Sequence, residues 1–182
     1  MMKKIGALLA AFLLVLGLGL VVPGSAAAAP YCGITWGSLV KVNSSTTSAP
    51  VTNVRAGEHP CFDRMVVDIR GKGAGYRVEY VSTVRADGSG QVIPLRGGAF
   101  LRVIVTAPSY DRFGNATYRP ANPRELVNLT GYTTFRQLAS AGSFEGQSTF
   151  GLGVRARLPF RVFTLDGPGT ASRVVIDVAH RW

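Results

Sequence analysis

FDRMVVDIRG (62–71) and ASRVVIDVAH (171–180) write one phrase twice. Arg64-Met65-Val66-Val67-Asp68-Ile69 and Arg173-Val174-Val175-Ile176-Asp177-Val178 match position for position. In each, alternate residues are apolar, and a period of two marks a strand with one face in a core. Met65, Val67 and Ile69 form the oily side of the first phrase. Val174, Ile176 and Val178 form that of the second. Burial of such side chains stabilises by roughly 1.5–3 kcal/mol each. The phrases are therefore expected at equivalent places in the two halves of one sandwich, with their Arg and Asp side chains outside.

The same alternation runs through most of the chain. Tyr76, Val78 and Tyr80 alternate with Arg77, Glu79 and Val81. Leu101, Val103 and Val105 alternate with Arg102, Ile104 and Thr106. Residues 160–165 and 174–178 read alike. Turn chemistry separates these runs: Gly71-Lys72-Gly73-Ala74-Gly75, Asp87-Gly88-Ser89-Gly90, Gly97-Gly98, residues 111–115 and Gly167-Pro168-Gly169. Short strands spaced by such turns define an all-β, single-domain sandwich with approximate internal symmetry. At most one short helix is expected, at Asn122-Pro123-Arg124-Glu125, with Asn as N-cap and Pro at the first helical position. A hairpin over Gly71–Gly75 would set Asp68 opposite Arg77, which gives Asp68 a surface pairing partner in place of a catalytic role. Gly151-Leu152-Gly153 reads as a bulge or as a close approach of another backbone.

The N-terminus reads as a removable leader. Lys3 and Lys4 precede an uncharged apolar run from Ile5 to Val22, then a Pro23-Gly24-Ser25 break and the small residues Ala26–Ala29. That is a secretory signal peptide over residues 1–28, cut after Ala28 or Ala29. No stable membrane insertion is expected after cleavage. Pro30-Tyr31 before Cys32 lacks the small residues of a lipid-attachment site. About 153 residues follow, enough for one domain with a real core.

Without Lys3 and Lys4, 18 basic residues stand against 10 acidic ones, and 16 of the 18 are Arg. Guanidinium pairs bidentately with carboxylate and phosphate. A basic exported protein suits an anionic wall polymer, and no nucleic-acid role is expected. Cys32 and Cys61 suit one disulfide in an oxidising compartment, tying an N-terminal arm (29–56) to the start of the main domain (57–182).

Catalysis is not expected. Gly88-Ser89-Gly90 lacks the spacing of a nucleophile elbow. Gly71, Gly73 and Gly75 lack that of a dinucleotide loop. No C-x-x-C occurs, and His59 and His180 are the only histidines, so no metal centre and no cofactor are expected. The surface feature with most to offer is VRARLPFRVF (154–163). There Arg155 and Arg157 lie on one face, and Arg161 follows a proline. With Arg64, Arg77 and Arg173 these are the candidate ligand-binding residues. A row of guanidiniums on a sheet would hold carboxylates while aromatics meet sugar rings.

RMVVDI and RVVIDV, together with FRQLASAGSFEGQSTFGLGVRARLPFRVF and SRVVIDVAHRW, resemble the AMIN domain and its actinobacterial AMIN-like relatives over roughly residues 50–182. The resemblance implies a β-sandwich that targets the envelope and binds peptidoglycan. In that family the domain accompanies amidases or secretin pores, and a free-standing binding module is expected here. The expectation is a secreted, cell-wall-associated, non-catalytic module that binds peptidoglycan or another anionic wall polymer. Two alternatives stay open: an envelope protein partner, with this chain as inhibitor or assembly factor, and a wall-acting enzyme of unrecognised type.

Overall fold

A computed structural model describes residues 29–182; the signal-peptide expectation concerns residues outside that range. After a 3-10 turn at Tyr31–Gly33 come eleven strands: β1 (Lys41–Asn43), β2 (Val51–Glu58), β3 (Phe62–Ile69), β4 (Tyr76–Val81), β5 (Val84–Arg85), β6 (Val92–Ile93), β7 (Ala99–Val105), β8 (Phe135–Phe144), β9 (Gln147–Val154), β10 (Phe160–Asp166) and β11 (Ser172–Ala179). They form a five-stranded sheet in the order β1-β4-β7-β9-β8 and a four-stranded sheet in the order β10-β11-β3-β2. β5 and β6 make a separate two-stranded ribbon. All pairings are antiparallel. The expected all-β sandwich is present.

One core lies between the two larger sheets. From the four-stranded sheet come Met65, Val67, Ile69, Val174, Ile176 and Val178; from the five-stranded sheet come Val78, Leu101, Val103, Phe150 and Leu152. These are the alternating positions of the sequence pattern, which fixes the inward side of each strand. Two tyrosines tie the layers at one side: Tyr76 donates from its hydroxyl to the Val162 carbonyl at 3.0 Å and Tyr80 to that of Leu158 at 2.9 Å.

Three expectations need correction. First, the twin phrases do not face each other across the sandwich. They are hydrogen-bonded neighbours in one sheet, with Arg64 opposite Asp177 and Arg173 opposite Asp68. The internal symmetry is a local two-fold between adjacent antiparallel strands. Two copies of one alternating phrase can share a sheet as readily as face each other, because both arrangements bury the same oily side.

Second, Gly71–Gly75 is no hairpin. β3 and β4 belong to different sheets, and the glycine-rich segment crosses between layers. Gly75 passes so close to the chain at 43–45 that a Cβ there would lie 2.2 Å from the carbonyl oxygens of Asn43 and Ser45. Asp68 therefore meets Arg55 of β2, at 2.8 and 3.0 Å, and not Arg77.

Third, residues 122–125 form a turn. The Asn122 side chain accepts from the backbone N–H of Arg124 at 2.9 Å, a local bond that competes with helix. The segment then lies along β8: the Leu126 N–H donates to the Leu138 carbonyl and the Ser140 N–H to that of Pro123, at 2.8 and 2.7 Å. That covers part of a long edge strand.

The approach of another backbone, one of the two readings of Gly151-Leu152-Gly153, is what the fold shows. The segment between β4 and β7 lies on the outer face of β9. A Cβ on Gly153 would meet the Arg96 carbonyl oxygen at 1.9 Å, and one on Gly151 the Leu95 side chain at 2.8 Å.

Candidate functional site: an arginine–aromatic cluster on the outer sheet face

The register of the twin strands builds the site. Because β3 and β11 run antiparallel, the Arg of each copy falls opposite the Asp of the other. On β10, Arg161 lies opposite Asp177 from the other side. Asp177 is thus flanked by two guanidiniums. Arg64 donates from Nε to Asp177 Oδ1 at 2.6 Å and from Nη2 to Oδ2 at 2.9 Å. Arg161 donates from Nε to Oδ2 at 2.8 Å. Although it sits on an outer face, Asp177 is 0% exposed.

Aromatic rings close the cluster from above and beside. The Arg161 Cζ lies 4.4 Å from the Trp36 ring centroid, 5.1 Å from that of Phe163 and 5.6 Å from that of Phe62. The Arg64 Cζ lies 5.2 Å from Phe62 and 5.6 Å from Phe163. Contacts of this kind contribute about 0.5–2 kcal/mol each, according to desolvation, and hold the guanidinium planes in place.

Trp36 reaches the cluster from the N-terminal arm, and the arm's path has clear causes. The Cys32–Cys61 disulfide fastens it next to Phe62, with a Cα–Cα distance of 6.2 Å. Trp36 meets Phe62 edge-on at 5.7 Å, and the Phe160 N–H donates to the Gly37 carbonyl at 2.8 Å.

Two cations share one anion here, so the cluster keeps a positive excess. The hydrogen bonds to Asp177, outweighing burial, raise the Arg64 pKa above its usual value. Among the described residues nothing accepts from the terminal nitrogens of Arg161. A second row continues across the same face, where Asp68 lies opposite Arg173 in the register and is held by the Arg55 side chain. Arg173 donates from Nη2 to the Asp166 carbonyl at 3.1 Å; its buried Nε has no hydrogen-bond partner among the described residues.

Three of the six sequence-nominated arginines, Arg64, Arg161 and Arg173, therefore share one face. The other three lie elsewhere. Arg77 is on the five-stranded sheet, paired with Glu79 at 2.7 Å. Arg155 donates to the backbone carbonyl of His180. Arg157 donates to Ser38 and lies over the Tyr80 ring. The single row expected along 154–163 does not form, because residues 155–159 are a connection and not a strand. Sequence reasoning missed Trp36, Phe62, Phe163 and Arg55. The available signal was Trp36, a large aromatic four residues beyond a cysteine whose partner precedes Phe62.

Fold and cluster together define an antiparallel β-sandwich that carries a stacked arginine–aromatic face on its four-stranded sheet. The chain belongs to the AMIN-like domain family, whose model matches residues 49–180. A search of curated proteins and one of solved structures returned no significant match. AMIN-like domains are envelope-associated and generally non-catalytic. Among the described residues no helix is long and apolar enough to cross a membrane.

Proposed function

We propose that this protein is a secreted, non-catalytic envelope module that binds peptidoglycan or another anionic wall polymer. The ligand would lie on the outer face of the four-stranded sheet, over Arg64, Arg161 and Arg173. The supporting observation is the sharing of buried Asp177 by two arginines that are stacked on Trp36, Phe62 and Phe163. Asp177 neutralises one of the two cations and orients both. The Arg161 fork is then ready for a carboxylate or phosphate without first losing side-chain freedom, which is how preorganisation favours affinity. The rings beside it present flat apolar surface to a sugar. A disulfide holding part of that surface suits an oxidising compartment outside the cytoplasm.

Sedimentation with purified insoluble wall, with and without teichoic acid, tests this reading. Co-sedimentation at low salt that falls as salt rises supports it. A protein that stays in the supernatant at low ionic strength overturns it.

One observation favours an envelope protein partner as a second reading. Leu39, Val40 and Val42 are all exposed at or beside the edge strand β1, and an edge strand can receive another chain. Co-purification with a protein, with indifference to wall polymer, would select it.

A further inference from the structure

The protein has two histidines, 121 positions apart in sequence, and the fold brings both to one pocket. Glu58 ends β2 and His59 follows it, Asp63 is the second residue of β3, and His180 follows β11. The pocket, about 350 Å³, is lined by Glu58, His59, Pro60, Thr133 and His180. Below it lies Asp63, 0% exposed. Its Oδ2 accepts from the backbone N–H groups of Thr134 and Phe135 at 2.6 and 2.8 Å, which fixes the carboxylate in place. Its Oδ1 lies 3.0 Å from His180 Nε2. One donor atom each from Glu58, Asp63 and His180 fall within 4.8 Å of one another.

We infer that Glu58, Asp63 and His180 form a binding site for a divalent transition-metal ion of the zinc type. The donor set is one imidazole nitrogen and two carboxylate oxygens, which suits zinc. Donor atoms bound at about 2.0–2.1 Å in tetrahedral geometry stand roughly 3.3 Å apart, so the Asp63–His180 spacing needs little change to admit the ion. Asp63 and His180 are both buried and already oriented, while Glu58 is exposed and closes from the pocket side. Three protein donors leave the fourth position to water from the pocket. Charge points the same way. In a strongly basic protein this spot gathers two carboxylates. Their negative charge reinforces burial in pushing up the phenol of nearby Tyr132. The ion would fasten the ends of β2, β3 and β11 together. Through the backbone bonds to Asp63 Oδ2 it would also tie them to the start of β8, on the opposite sheet.

Chelator-treated full-length protein titrated with Zn²⁺ alone at neutral pH tests this by calorimetry. One equivalent bound per chain is expected. Glu58→Gln, at an exposed position that leaves the Asp63–His180 pair intact, should weaken binding at least tenfold. With Co²⁺ as a spectroscopic substitute, a visible absorption band should appear in the wild type and vanish in His180→Gln. Absence of saturable binding overturns the inference. So does a Glu58→Gln protein that binds as the wild type does, which would leave Asp63 and His180 as a structural pair only.

Discussion

Arg64 and Asp177, 113 positions apart in sequence, face each other across β3 and β11 and join through two hydrogen bonds. Each belongs to one copy of the repeated phrase, so the repeat makes its own complement: the Arg at the start of one strand meets the Asp near the end of the other. Arg161 on β10 completes the group.

Asp177→Asn is expected to destabilise the protein by about 2–3 kcal/mol. Removing one member of a buried ion pair costs about 3–5 kcal/mol, and the partial exposure of Arg64 and Arg161 keeps the loss at or below the low end. Urea unfolding checks it. A double-mutant cycle of Arg64→Ala with Asp177→Ala should show coupling of at least 0.5 kcal/mol.

Arg161→Gln should lower wall binding several-fold with little effect on the fold, because Arg64 still covers Asp177. Arg77→Gln, on the other sheet, should leave binding unchanged. Co-sedimentation of the two variants side by side distinguishes a localised site from a general effect of positive charge. Equal losses would place binding in overall charge alone.

Replacing Cys32 and Cys61 by Ser should reduce stability by roughly 3–4 kcal/mol on the chain-entropy account of a loop of about 30 residues. Wall binding should fall as well, since the arm that carries Trp36 is released. Indole fluorescence should shift toward that of a solvated tryptophan.

Two carboxylates should give opposite pH responses. Hydrogen bonds from Arg77 and then Arg102 hold the Glu79 carboxyl below its usual range. Its stabilising contribution is present above the unfolded value near 4.3 and is lost as pH falls through the folded value. Glu79→Gln should therefore destabilise at neutral pH and converge with the wild type in acid. Burial pushes Asp87 the other way, against the weaker pull of Thr149 and Arg102, and its Oδ2 has no hydrogen-bond partner among the described residues. A raised folded value means that stability falls as pH rises through the window above about 3.9. Asp87→Asn should raise the melting temperature at neutral pH and not below pH 3. Thermal melts across pH 3–8 check both.

Much of the fold was legible before any coordinates. The alternation in residues 65–69, 76–80, 101–105 and 174–178 assigned each inward side chain correctly, because strand geometry leaves only two faces to choose between. The close approach at Gly151 and Gly153 was legible as one of two readings. Half of the nominated arginines gathered on one face. The aromatic partners were not legible, since Trp36 arrives through a disulfide and a loop whose path no periodicity describes. His59 and His180 looked unrelated for the same reason: strand pairing between β3 and β11, not sequence distance, brings their ends together.

By itself the sequence determined that this protein is a sandwich of strands, and which side chains each strand turns inward. Those properties depend on local geometry and on the removal of apolar surface from water. Only the tertiary structure decided which strands are neighbours. Backbone hydrogen bonds are the same for every pairing, so the choice is made when both layers close on one core. That choice set Arg64 beside Asp177, carried Asp68 to Arg55 and away from Arg77, and gathered Glu58, Asp63 and His180 at one end of the sheet.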